Sequence, residues 1–376
     1  MIREQVPLAP YTTLRLGGPA ARFVRADHDD QVIEAVQDAE RRGDPVLILG
    51  GGSNLVVADE GFPGTVIQLA TRGITIQPTP AQAVPAQPGT GQRGEAAPEQ
   101  FVTVQVAAGE DWDTVVRWSI ASGLSGVECL SGIPGQAGAT PIQNVGAYGQ
   151  EVAATITAVQ AYDRHRGELT ELANADCGFG YRTSLFKHSM AGRFVVLGVT
   201  FRLARDPLSV PVRYAELAAT LGFAEGERVP LAAARAAVLR LRRGKGMVLD
   251  PADPDTRSAG SFFTNPVLDQ AQVAALEAAV AGGWPPGTAV PRFPAGNGQF
   301  RVPAGWLIEH AGFGKGYPGN GPAGPRISAK HTLALVNPGE ATTASLLNLA
   351  REIRDGVQDT FGIALTQEPV LVGAVL

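Results

Sequence analysis

The chain has 376 residues, and 31 Lys and Arg against 36 Asp and Glu leave a net charge of −5. At roughly 100–200 residues per domain that length predicts two or three domains, and 44% apolar with 18% charged residues excludes wholesale disorder. The mild acidity argues against a nucleic-acid partner, which needs a Lys and Arg surplus to neutralise phosphates.

Met1-Ile2-Arg3-Glu4-Gln5-Val6-Pro7 shows no apolar targeting core, and no run of about 18 apolar residues follows. We therefore expect a cytoplasmic protein without membrane insertion. Asp29 or Asp30 caps a predicted helix whose Val32, Ile33, Val36 and Ala39 share a face and which Gly43 closes. Pro45 opens the strand-like run 46–49. Two more runs, 55–57 and 66–69, flank the turn-rich 59–64. Helix followed by short strands predicts an α+β layer arrangement with a mixed sheet. Residues 77–100 hold five Pro and five Gln, with Val84 their only large aliphatic. They cannot bury enough apolar surface to offset ordering, and they lie between the strand-like 73–76 and 101–106. We read them as a long, mobile hairpin insertion. A helix is expected over 111–122, and a strand over 194–203. Asp206-Pro207 then marks the main division, giving domains 1–206 and 207–376. Three helices follow, at about 230–243, 268–281 and 342–361, the last with Leu346, Leu349, Ile353, Val357 and Phe361 on one stripe. The run 362–365 opens a final strand, within about 363–376.

Glycine-rich strings need a physical test. Gly319-Asn320-Gly321-Pro322-Ala323-Gly324 satisfies GxGxxG as text, but Pro322 and Pro325 break the helix that would hold a pyrophosphate. Gly244-Lys245-Gly246 and Gly314-Lys315-Gly316 lack the hydroxyl residue of a P-loop. The loop Gly50-Gly51-Gly52-Ser53-Asn54 is different, because it joins two strands directly. Three glycines there allow positive φ and close approach, so successive N–H groups can converge on an anion. A tight strand–strand turn is the plain alternative. A second segment, Leu130-Ser131-Gly132-Ile133-Pro134-Gly135-Gln136-Ala137-Gly138-Ala139-Thr140-Pro141-Ile142-Gln143-Asn144-Val145-Gly146-Ala147-Tyr148-Gly149, carries five glycines and almost no charge. Such a loop packs against something flat and largely apolar, with backbone amides, Gln143 and Asn144 to read a ring edge or a phosphate.

These two segments in this order resemble the FAD-binding domain of the vanillyl-alcohol-oxidase-like (PCMH-type) flavoproteins. Within them the chain resembles the UDP-N-acetylenolpyruvoylglucosamine reductase family, from about residue 10 to 372 apart from 77–100. Tyr11-Thr12-Thr13-Leu14-Arg15-Leu16-Gly17-Gly18 fits the family's opening. The resemblance implies a two-part FAD-binding region, a C-terminal α+β substrate domain, and a last strand returning to the FAD-binding part. It implies cofactor contacts from Gly50, Gly51, Gly52, Ser53, Asn54, Ile133, Pro134, Gly135, Gln143, Asn144 and Gly146. FAD is expected to be non-covalent, and NADPH to be the hydride donor.

Three catalytic positions carry over. Arg182 lies in Phe179-Gly180-Tyr181-Arg182, Ser261 in Gly260-Ser261-Phe262-Phe263-Thr264-Asn265-Pro266, and Glu368 in Gln367-Glu368-Pro369-Val370. Taken singly they read as a surface ion pair, a helix cap and a strand-end charge. Together they fit reduction of an enol ether conjugated to a carboxylate. The resemblance implies that Arg182 stabilises the developing enolate, that Glu368 shares a proton or hydrogen bond with the carboxylate, and that Ser261 protonates the α-carbon. Substrate contacts are implied for Tyr214, in the Tyr-x-Glu-Leu element of the family's first structural type, and for Lys245, Asn265 and Lys315. The basic cluster Arg240, Arg242, Arg243 and Lys245 at a helix end is the candidate for the diphosphate, the resemblance favouring Lys245, with a solvated helix face as the alternative for the arginines. None of the five histidines has ligand spacing with another, so no metal is expected. Cys129 and Cys177, without a CxxC, read as packing residues. The expected partner is UDP-N-acetylglucosamine enolpyruvate, bound by a monomer. The rivals are another PCMH-type flavin oxidase and a catalytically silent UDP-sugar or flavin-binding protein.

Overall fold

The computed structural model describes residues 2–77, 100–319 and 324–376. The chain gathers into two compact units, one of Met1–Val24, Ala39–Ile67 and Arg242–Leu376, the other of Arg25–Asp38 and Gln68–Leu241. Both mix helices and strands. Among the described residues no helix is long and apolar enough to cross a membrane.

In the first unit a four-stranded sheet orders Ile2–Pro7, Pro19–Ala26, Phe62–Leu69 and Val46–Leu49. Val6, Ala20, Phe23, Leu49 and Val66 bury together with Val57 and Val372. The turn read over 59–64 is shorter, because the strand already starts at Phe62. The Thr65 N–H donating to Pro45 O at 2.8 Å draws this stretch alongside the start of Val46–Leu49. A larger core holds Phe262, Phe263, Val273, Leu276, Leu307, Leu346, Ile353 and Val357. Helix Thr343–Phe361 buries Leu346, Leu349, Ile353 and Val357 of the predicted stripe. Its start is doubly capped: Thr342 and Ser345 exchange a capping box, and the Asp59 carboxylate accepts from the N–H groups of Thr343 and Ala344 at 2.8 Å each. The run 362–365 is not a strand. Gly362 ends the helix at φ +68, and Ile363 and Leu365 go into the core instead of a ladder. The last strand is Val370–Val372, parallel to Leu55–Val57.

The second unit holds an antiparallel sheet ordered Glu168–Ala173, Ile156–Asp163, Phe194–Arg205, Phe101–Ala107, Ile74–Gln77, with Leu124–Ser125 also on Phe194–Arg205. Ile74–Gln77 and Phe101–Ala107 pair from Ile74↔Val106 to Gln77↔Thr103, so the strands on either side of the insertion form a hairpin. The insertion itself, residues 78–99, lies outside the described residues, as does 320–323 of the GxGxxG string. Helix Trp112–Ala121 is capped by Asp111 and buries Trp112, whose ring lies 5.7 Å from that of Phe201. Cys129 and Cys177 are buried free thiols, pushed up to about 12 and about 11 by burial and then by the neighbouring Glu128 and Asp176.

One buried charge in this sheet sets a pH dependence. The Asp163 side chain is 2% exposed and receives the Arg193 fork at 2.6 to 3.1 Å. Hydrogen bonding from Arg193 outweighs burial and, with the His165 and Arg166 N–H groups, lowers its pKa to about 2. A depressed carboxyl stabilises the fold above its ordinary value of 3.8, and that contribution fades as pH falls from there through about 2. Thermal melts between pH 2 and 7 should therefore show an acid-side loss that Asp163→Asn flattens, the variant being less stable at neutral pH.

Candidate active site

The first unit assembles one group of the motif residues. Loop 50–54 links Val46–Leu49 to Leu55–Val57, and of its glycines Gly52 alone is left-handed, at φ +60. A Cβ there would lie 2.0 Å from Tyr11 O and 2.9 Å from Thr12 Cα, so only glycine fits the approach. Thr13 N–H donates to Gly52 O at 3.1 Å, and Val370 N–H to Asn54 O at 2.9 Å. The Asn54 amide reaches Glu368 O at 3.5 Å.

Ser261 ends the strand Ser258–Ser261. Phe262 and Phe263, each 1% exposed with rings 5.2 Å apart edge to face, anchor the chain immediately after it. Phe262 O accepts from Glu368 N–H at 2.8 Å, Thr264 N–H donates to Thr366 O at 3.0 Å, and Phe263 bridges Gln367. A backbone ladder therefore carries Ser261 and Glu368 on neighbouring segments, with loop 50–54 bonded to the second. Among the described residues the Ser261 hydroxyl has no hydrogen-bond partner. Asn265 spends its Oδ1 on Ala304 N–H at 2.9 Å. Lys315 is exposed, while Lys245 follows helix Leu231–Gly244 and is half-buried.

The second unit assembles the rest. Loop 131–149 docks by its backbone: Trp112 N–H donates to Gly135 O at 3.1 Å, Ala137 N–H to Glu110 O and Gly138 N–H to Ala108 O at 2.9 Å. Asn144 is 1% exposed and left-handed at φ +45. Its amide donates to Glu151 at 2.9 Å and Gly180 O at 2.8 Å and accepts from Ala153 N–H at 3.2 Å. That side chain is spent inside the protein, so it offers a ligand the backbone it shapes. Gln143 Oε1 accepts from Lys187 at 2.9 Å. Ile133, Pro134 and Gly146 are half-buried.

Gly180 and Thr183 bridge across a tight turn that puts Arg182 at φ +55, a strained setting for a residue with a side chain. Its Nη2 donates to Gly146 O at 2.7 Å, and its guanidinium carbon lies 5.3 Å from the Tyr181 ring centre. Tyr214 is 43% exposed and meets Tyr148 edge to face at 5.3 Å. Burial, then Glu216, pushes its hydroxyl pKa up, so it is a neutral donor at physiological pH.

Several supporting residues left no trace in the sequence. Arg235 grips Asp113 through two 2.7 Å bonds, and the same carboxylate accepts from Gly132 N–H at 2.6 Å, fixing the root of loop 131–149. Burial acts to raise the Asp113 pKa, but Arg235 and the Gly132 N–H outweigh it and hold the carboxyl low. The fully buried Glu128 accepts from Gly126 and Val210 N–H groups at 2.7 Å each. Val210 lies 82 positions from Glu128 and Arg235 lies 122 from Asp113, so no local pattern could announce those two partners.

The donor set suits a flavin dinucleotide. Among the described residues the N–H groups of Gly50, Gly51 and Gly52 have no protein acceptor, which leaves them for an anion such as a diphosphate. In loop 131–149, Gln136 Nε2 donates to Leu69 O while its Oε1 is buried without a partner. Fold and donors define an FAD-binding protein, and residues 20–94 and 96–173 match the FAD binding domain family. Residues 251–372 match the C-terminal domain of UDP-N-acetylenolpyruvoylglucosamine reductase. Proteins named UDP-N-acetylenolpyruvoylglucosamine reductase from Streptomyces coelicolor and Thermobifida fusca are 55% and 54% identical, covering 99% of this chain and 91% and 98% of theirs. The crystal structure of the Thermus caldophilus reductase is similar at TM-score 0.59 and 25% identity, over 99% of this chain and all of that one. The chain belongs to the UDP-N-acetylenolpyruvoylglucosamine reductase family.

Gly52→Ala tests the close approach at loop 50–54. The forced left-handed conformation costs about 1–2 kcal/mol, and displacing the Tyr11–Thr12 backbone costs about 1–3 kcal/mol more. The variant should unfold at lower urea and purify with less bound flavin than the parent, measured by denaturant titration and visible absorbance.

Proposed function

We propose that the protein reduces the enolpyruvyl group of UDP-N-acetylglucosamine enolpyruvate to UDP-N-acetylmuramate, a step of peptidoglycan precursor synthesis. The observation that carries the reading is full-length identity above one half to named reductases, in a chain whose Ser261 and Glu368 share a backbone ladder beside loop 50–54. In this reading residues 1–206, with the returning last strand, hold the cofactor and 207–376 the substrate. The chain works as a cytoplasmic monomer.

Bound non-covalently and reduced by NADPH, FAD would supply hydride chemistry for the substrate's β-carbon. The Gly50, Gly51 and Gly52 N–H groups, with Ser53 and Asn54, would hold its diphosphate, and Ile133, Pro134, Gly135, Gln143, Asn144 and Gly146 would shape the surface for the ring. Arg182 stabilises negative charge on the substrate carboxylate as it develops. The turn at 180–183 and the Gly146 carbonyl pre-set its guanidinium, so little reorganisation is needed when that charge appears. Glu368 hydrogen-bonds the same carboxylate. Ser261, whose hydroxyl is uncommitted among the described residues, gives its proton to the α-carbon. Lys245 meets the substrate diphosphate as a point charge, Tyr214 closes over the nucleotide, and Asn265 and Lys315 complete the contacts.

An anaerobic visible spectrum tests the assignment. NADPH should bleach the oxidised flavin band, and the enolpyruvyl nucleotide should restore it without oxygen. Bleaching without recovery would point to a different flavin oxidoreductase, and rapid recovery in air alone to an oxidase. A colourless protein that FAD cannot reconstitute would leave a binding protein. Arg182→Lys should keep the bleaching step and slow recovery by about 10²–10³-fold, the typical cost of losing a preorganised charge-stabilising donor.

A further inference from the structure

We infer that Thr13 is a positioning residue that ties the cofactor loop to the strand carrying the proton donor. The inference rests on the reading of Ser261 as that donor.

The segment around Thr13 is braced on itself. Thr12 Oγ1 donates to Leu16 O at 2.9 Å, and Leu16 N–H returns to Thr12 Oγ1 at 3.3 Å. Leu14 and Leu16 are buried in the core at 1% and 5% exposure, and Asn337 Nδ2 donates to Leu14 O at 3.0 Å. Thr13 itself is 8% exposed and faces two ways. Its N–H holds Gly52 O at 3.1 Å, and its hydroxyl donates to Ser258 O at 2.6 Å. A hydroxyl has one hydrogen. The 2.6 Å contact takes it, leaving the 3.4 Å approach to Gly52 O as a weak second.

Ser258 is where that grip matters. Between Ser258 and Ser261 the strand bulges: Ser258 pairs with Val336 and Ser261 with Ala334, three steps against two, with Gly260 at φ +77. A bulge re-aims the side chain that follows it, and its direction depends on where the strand is pinned before it. The Thr13 hydroxyl supplies a pin there, from the same residue whose N–H fixes loop 50–54. One residue thus sets the cofactor's bed and the aim of the proton donor together.

Thr13→Val keeps the side-chain shape and the N–H bond to Gly52 but removes the hydroxyl. In the apoprotein, amide hydrogen exchange across 258–263 should speed up by about tenfold or more as that segment opens more easily, with FAD affinity by fluorescence titration within about twofold. In the loaded enzyme, NADPH reduction should be unchanged, and reoxidation by the enolpyruvyl nucleotide should slow about 10- to 100-fold, as for a misplacement on the order of 1 Å. Thr13→Ser should restore both exchange and reoxidation. Ser261→Ala is run beside it. If Ser261→Ala is slow while Thr13→Val reoxidises like the parent, the inference fails and the donor reading stands. If Ser261→Ala reoxidises like the parent, the donor reading fails first and takes the inference with it. Loss of FAD affinity together with melting temperature in Thr13→Val, not recovered by Thr13→Ser, would overturn positioning in favour of plain structural support.

Discussion

At Gly52 two backbones meet with no room for a side chain between them, and much of the first unit follows from that contact. Tyr11 O and Thr12 Cα occupy the space a Cβ would need. Because the backbones can touch, Thr13 N–H reaches Gly52 O and holds the loop by a main-chain bond. Among the described residues the N–H groups of 50–52 have no internal partners. At the other end of the loop Asn54 O receives Val370 N–H, and Leu55–Val57 runs on beside Val370–Val372. Segments from the start, the first third and the end of the chain are thereby held in one body, largely by main-chain bonds.

Local physics was well written into the sequence. Helices Asp29–Arg42 and Thr343–Phe361 fall where apolar spacing puts them, although Asp29 and Asp30 stand inside the first turn instead of capping it, and Gly43 and Gly362 close them in left-handed conformations. The strand after residue 362 was misread because Ile363 and Leu365 are apolar for the core, and apolar content alone does not separate a ladder from a packed irregular turn. Short strands such as Arg326–Ile327 carry too few residues to show alternation. In the motif segments, resemblance singles out residues but not their conformations. An arginine at φ +55 is not something residue type announces, and of three consecutive glycines only one uses its freedom.

The second unit treats its polar groups differently. Its glycine-rich loop has almost no charge, yet Asp113, Glu128, Asn144 and Arg182 all bond to backbone in it or next to it. Each bond is modest alone, but buried donors and acceptors that lose a partner carry a larger cost, so the arrangement resists alternatives. A loop fixed before its ligand arrives has less entropy to lose on binding. Strain at Arg182 fits the same logic: a less common backbone setting is kept because its neighbours over-determine it.

The parallel pairing of Leu55–Val57 with Val370–Val372 also has a consequence for the newborn chain. On the ribosome the first strand emerges long before its partner exists, and at about 5–20 residues per second the wait lasts on the order of tens of seconds. During that time its N–H and C=O groups on that side have no native neighbour, and an unpaired strand edge invites pairing with other chains. The first unit can close only after Val370–Val372 has emerged, whereas Gln68–Leu241 of the second is synthesised as one uninterrupted stretch. Completion of the pairing at Leu55–Val57 is therefore a late event in the making of each molecule.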